Sequence, residues 1–225
     1  MAGAGISVQV VLIAEMLLLV AVNDKGHVPL GSGDAFVDVG LTGALLAELA
    51  IDGRLTIAED GTVRTGDTGP DDVLLADAYH AVRKHLEGRK ARRVIGGLGR
   101  RIGGSRKRVV DRLVDDGVLV SDKPSAFRPT RHPVVDTAAR QAVLDQVRAA
   151  AAGDGPVRPD VAVVLALSGP CRLLERVAPE RSTRGEAKRR IARATAETPF
   201  APSVAKVVDE LIAAVAVTAT AIVAS

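Results

Sequence analysis

Val10-Val11-Leu12-Ile13-Ala14-Glu15-Met16-Leu17-Leu18-Leu19-Val20-Ala21-Val22 is an aliphatic run broken only by Glu15. A helix that is apolar all round must be covered by other elements or by lipid. Extended back to Ile6, the run takes in Gln9 and follows no basic residue, which does not fit a signal peptide. It stops at Asn23-Asp24-Lys25-Gly26, a strong turn signal. A second run, Leu211 to Ala224, is free of charge but shorter than the roughly 20 residues that span a bilayer, and Lys206, Asp209 and Glu210 precede it. Both runs therefore read as buried core helices, and two such helices need a surrounding layer of others.

The composition agrees. The chain has 225 residues, 47% of them apolar and only 2% aromatic, so the core is built from Ala, Val and Leu. Ala and Leu have high helix propensity. The expected fold is mainly α: a single-domain helical bundle over residues 1–225, with amphipathic outer helices and two short β-hairpins. Cys171 is the only cysteine, which excludes an internal disulfide and fits a reducing cytoplasm and a small core residue.

Outward from the first run, a Gly-rich loop with Pro29, Gly31 and Gly33 leads to a helix over Ala35 to Asp52, ended by Gly53. Leu55 to Ala58 and Thr62 to Thr65 flank Asp60-Gly61 and predict a hairpin. A helix follows Asp71 and Asp72, whose charges suit its amino end, with Val73, Leu74, Ala78, Val82 and Leu86 as its apolar face. Val118 to Arg131 reads as the second hairpin, with Phe127 near its tip. Further helices are expected over Asp136 to Ala152, Pro159 to Leu174 (split at Gly169-Pro170), Arg184 to Thr195 and Pro202 to Ala224.

The segment from Arg89 to Arg112 differs from the rest. Ten of its 24 residues are Lys or Arg, and only Asp111 opposes them. Gly96, Gly97, Gly99, Gly103 and Gly104 predict a short helix, a loop and a second helix capped by Ser105. At about 100° per residue, Arg106 lies on the side of Val110 and Leu113, while Lys107, Arg108 and Arg112 lie toward solvent.

No residue pattern bids for catalysis, a cofactor or a metal. His27, His80, His85 and His132 do not pair at helical spacing, and no zinc motif occurs. Gly31-Ser32-Gly33 is too short for a nucleophile elbow. Gly96 to Ser105 lacks the Gly-Lys-Ser/Thr of a phosphate loop, and no buried strand precedes it. The expectation is a protein that is not an enzyme.

Four stretches in order resemble the Golgi phosphoprotein 3 family: Ala14 to Gly26, Leu41 to Leu55, Asp71 to Leu75, and Arg112 to Leu119 followed by Thr130 to Pro133. The resemblance covers nearly the whole chain. It implies a mostly helical single domain with short hairpins, located in the cytoplasm and peripherally membrane-associated. Eukaryotic members bind phosphatidylinositol 4-phosphate on Golgi membranes and engage glycosyltransferase tails. Their headgroup pocket uses a Trp, an Arg on the second helix and an Arg-x-x-Arg pair. Carried over, the Trp position falls near Gly33, the helix Arg at Thr42, the pair at Gly103 and Arg106, and a further basic position at Arg108. The resemblance thus implies an anionic-lipid site with part of its charge removed, flanked by a cationic surface of Arg100, Arg101, Lys107 and Arg112. The Ala, Arg and Gly bias fits a GC-rich bacterial, actinobacterial-type member whose lipid need not be the eukaryotic one.

Two other readings stand beside it. Ser105 to Arg131 has the order of a winged helix, in which a basic helix enters the major groove of duplex DNA. Single-stranded nucleic acid fits poorly, since the segment has no aromatic for stacking. Alternatively, the Val118 to Arg131 hairpin docks a protein partner.

Overall fold

The computed structural model describes residues 11–23, 33–121, 132–198 and 202–223. They form ten helices and one two-stranded sheet. In chain order the elements are α1 (Ile13–Ala21), α2 (Gly33–Ile51), β1 (Leu55–Ile57), β2 (Val63–Thr65), α3 (Val73–His85), α4 (Ala91–Arg101), α5 (Ser105–Asp115), α6 (Thr137–Ala152), α7 (Pro159–Ser168), α8 (Leu174–Val177), α9 (Arg184–Glu197) and α10 (Pro202–Val223).

Every residue of α1 is buried, Glu15 included. The helix is the axis of the bundle: α2, α5, α6 and α7 pack around it, and α10 and α4 cover the far side of α2. The expected central helix is thus observed. An enclosed helix must satisfy its terminal amides and carbonyls within the protein. The Leu12 N–H donates to Glu15 Oε2 at 2.7 Å, the Ile13 N–H donates to Glu48 Oε2 at 2.6 Å, and Arg140 Nη2 donates to the Val22 carbonyl at 2.7 Å. Carboxylates at the amino end and a guanidinium at the carboxyl end also match the helix dipole.

The first hairpin forms as expected, antiparallel with Leu55 opposite Thr65. For the second, Leu119 pairs with Val134 in an isolated bridge, and most of it, Phe127 included, lies outside the described residues, as does the Gly-rich loop before α2. Asp72 caps α3 by accepting from the Leu74 and Leu75 N–H groups. Val73 is 71% exposed rather than part of the apolar face of α3, because it is the first helical residue and points off the end. Leu75 and Tyr79 occupy that face instead.

α2 approaches its neighbours through glycines. A Cβ at Gly40 would stand 2.2 Å from Cys171 Sγ, and one at Gly43 would stand 2.4 Å from Val215 Cγ2 on α10. Cys171 is buried and its thiol is pushed up to about 12 by desolvation, so it stays protonated and acts as a small packing residue. Gly40→Ala is expected to destabilise the fold by about 2 kcal/mol through overpacking, read as a lowered urea midpoint. Adding Cys171→Ala vacates the sulfur's space, so the double variant should recover most of that loss. Equal midpoints for the single and double variants would refute the contact.

Candidate functional site

α4 and α5, joined by a short turn over residues 102–104, carry the basic segment and both pack against α2. Gly96, Gly97 and Gly99 do not break α4, contrary to the local expectation. Val94, Ile95 and Leu98 are buried along one side, and that packing outweighs the weak helix propensity of glycine. The chain turns at Gly103 and Gly104, whose φ values of 80° and 97° favour residues without a Cβ. Gly104, not Ser105, is the N-cap, and no side chain caps α5. Ser105 Oγ is instead buried at 2.8 Å from Thr42 Oγ1, which donates to the Asp38 carbonyl at 3.0 Å.

This hydroxyl pair forms part of the wall of an open groove of about 1060 Å³. Its walls come from α2 (Asp38, Thr42), α4 (Gly96, Gly99, Arg100), the turn (Gly103, Gly104), α5 (Arg106, Lys107), and Ser121, His132 and Thr218. The uncapped amino end of α5 opens into it, bringing the positive end of the helix dipole and the first-turn amides. Arg106 Nε donates to Asp38 Oδ1 at 2.7 Å, and Lys107 Nζ to Asp111 Oδ2 at 2.5 Å. Three cations face two carboxylates here. Burial lowers the pKa of His132, with the Asp111 charge in partial opposition.

Thr42, Gly103 and Arg106, three of the positions singled out from the sequence, therefore meet at one groove, together with Arg100 and Lys107. Gly33 stands at the start of α2, outside the described lining. Arg108 does not join them: it pairs with Asp77 on α3. Arg112 belongs to the interior rather than to the cationic surface. Its Nε lies 2.7 Å from Glu15 Oε1, an ion pair without an aligned hydrogen bond, and its Nη1 pairs with Asp72. Arg108 and Arg112 were expected to face solvent, but α5 packs against α1 and runs beside α3, so both side chains reach carboxylates on those helices. Every cation of α5 thus has an acidic partner. Arg101 turns away from the groove and donates to the Gly97 carbonyl at 2.9 Å.

Asp38, Ser105 and Gly99 are site residues that the sequence alone did not mark. Gly99 faces the hydroxyl pair: a Cβ there would stand 3.4 Å from both Ser105 Oγ and Thr42 Oγ1. Among the described residues, no group of His, Cys, Asp or Glu could hold a metal ion, and no helix is long and apolar enough to cross a membrane.

No curated protein matches the chain. The family model for Golgi phosphoprotein 3 (GPP34) matches residues 13–211, from the first residue of α1 to the middle of α10, and so takes in the central helix, α4, α5 and all of the described groove lining but Thr218. The four ordered stretches and the mainly helical fold agree with that match, and the chain belongs to the Golgi phosphoprotein 3 family.

Proposed function

We propose that the protein is a non-enzymatic peripheral membrane protein that binds anionic phospholipid headgroups in the groove between α2, α4 and α5. The observation that carries the reading is the convergence of Thr42, Gly103 and Arg106, positions to which the resemblance carries the family's headgroup pocket, at the uncapped amino end of α5. A phosphate there meets first-turn amides, the helix dipole and the guanidinium of Arg106 or Arg100. Thr42 and Gly103 bring no charge, and no Trp is present in the chain. The groove therefore favours an anionic headgroup in general over the phosphatidylinositol 4-phosphate of the eukaryotic members.

Asp38 competes with the lipid for Arg106, which gives a test with two signs. A cation near an anionic surface contributes about 1 kcal/mol. Arg106→Gln should lower binding to phosphatidylglycerol vesicles about five-fold in a flotation assay, and Asp38→Asn should raise it. Equal binding to phosphatidylcholine vesicles, or indifference to both substitutions, would overturn the reading.

A further inference from the structure

We infer that the outer face of α4 is a second phosphate-binding station, which takes the phosphate of an anionic lipid headgroup beside the groove. It rests on the membrane reading given above and adds a site to it.

Between Arg89 and Arg101 the chain carries six cations and no acidic residue. Unlike those of α5, the side chains of Arg89, Arg92, Arg93 and Arg100 have no carboxylate partner among the described residues. Arg89, Arg93, Arg100 and Arg101 surround a depression of about 370 Å³ with His85, and no carboxylate lines it. That volume lies in the range of small-ligand sites. Glu87, the nearest acid in sequence, accepts from the Thr65 N–H and hydroxyl instead. Like charges gathered on one helix repel one another, and an anion held among them removes that cost.

Gly96 and Gly97 line the depression together with the buried Leu86. At Gly97 space is short, since a Cβ there would lie 2.9 Å from Arg101 Nη1 and 3.2 Å from Leu86 Cδ2. At Gly96 it is not: a Cβ there would meet nothing within 4 Å. A mid-helix glycine without a packing reason costs stability relative to alanine, and its effect here is to leave the ridge bare. Gly96 and Arg100 line both the depression and the groove, so the two adjoin each other on α4. Arginine pairs with phosphate through two parallel N–H bonds, which suits a headgroup held between Arg89, Arg93 and Arg101.

Two features favour lipid over nucleic acid. Among the described residues, no Phe, Tyr or Trp lines the depression or the groove for base stacking. Val39, Ile95 and Val110 line the groove beside its cations and give it the apolar surface that a lipid can use.

The experiment uses the full chain and phosphatidylglycerol vesicles, with phosphatidylcholine vesicles as reference. Arg89→Gln with Arg93→Gln should lower vesicle binding at least ten-fold with an unchanged thermal midpoint, because neither side chain has a partner to lose. Arg89→Lys with Arg93→Lys should still lose at least three-fold; undiminished binding in that pair means diffuse charge and overturns the station. If the glutamine pair binds like wild type while Arg106→Gln does not, the station fails and the groove stands. If the glutamine pair loses binding and Arg106→Gln does not, the groove fails and the station stands. If wild type does not prefer phosphatidylglycerol, both fail. Titration of inorganic phosphate, with heat lost in the glutamine pair but vesicle binding intact, would assign a free anion instead of a headgroup. A larger loss on a 20-base-pair duplex than on vesicles would assign nucleic acid.

Discussion

Arg112→Met should destabilise the protein by about 3 kcal/mol at neutral pH, with no change in the lining of the groove. Glu15 is 2% exposed in the middle of the bundle, and the Arg112 guanidinium is the cation beside it. Removing one partner of a buried pair leaves an uncompensated charge, which costs about 3–5 kcal/mol. The lower end applies because the Arg112 side chain is 29% exposed, so some water reaches it. The loss is of charge balance more than of volume, since methionine keeps much of the apolar stem. Glu15→Gln in the same chain should therefore recover most of the stability: the glutamine carbonyl can still accept from the Leu12 N–H, no charge remains at position 15, and Asp72, which also loses Arg112, is partly exposed and still accepts from the α3 amides. Burial already raises the Glu15 pKa, with the Leu12 N–H and Arg112 opposing it. Without Arg112 it rises further, so the native variant binds its proton at a higher pH than the unfolded chain does. Stability then increases as pH falls, and the gap to wild type should be narrower at pH 5 than at pH 7.5. Urea midpoints at both values read the effect. A gap that widens toward acid, or a double variant no better than the single, would mean that Arg112 stabilises by another route.

The same residue shows how far the sequence could be read. The burial of α1 was legible because an aliphatic run with a single polar interruption has few other outcomes. The partner of that interruption was not, because Arg112 lies on another helix and the periodicity of α5 gives a direction without saying what stands there. A side chain expected to face solvent is instead the counter-ion of the core. Glycines 96, 97 and 99 misled for a related reason: local propensity marks them as breaks, while the buried Val94, Ile95 and Leu98 hold α4 intact through them. Ser105 has the residue type of a helix cap, yet Gly104, with its positive φ, is the N-cap, and the serine hydroxyl bonds to Thr42 instead. The groove was legible only through the family resemblance, which put Thr42, Gly103 and Arg106 together before any geometry did. Asp38, the ion-pair partner of Arg106, carried no signal in sequence, since one acid in an apolar helix is ordinary.

Glu48→Gln should remove a pH dependence that the wild type carries. Burial pushes the Glu48 carboxyl up to about 7; the Ile13 N–H opposes this, while Asp52, Asp160 and Glu15 add to it. In the unfolded chain the group titrates near 4.5. Between those values the native state holds a proton that the unfolded state has lost, so this contribution is most favourable at acid pH and is lost as pH rises through about 7. At 1.36 kcal/mol per pH unit, the penalty at pH 8 is about 3 kcal/mol. Glutamine does not titrate, and its carbonyl can still accept from the Ile13 N–H. The variant should match wild type near pH 4.5 and exceed it at pH 8, read as urea midpoints across that range. Wild-type stability that rises from pH 5 to pH 8 relative to the glutamine variant would contradict the account. Glu48→Ala separates the charge from the hydrogen bond. It also removes the titration, but it leaves the amide at the start of a fully enclosed helix without its acceptor, a loss of about 1–3 kcal/mol. The alanine variant should therefore lie below the glutamine variant by a constant amount at every pH, because the missing bond does not titrate.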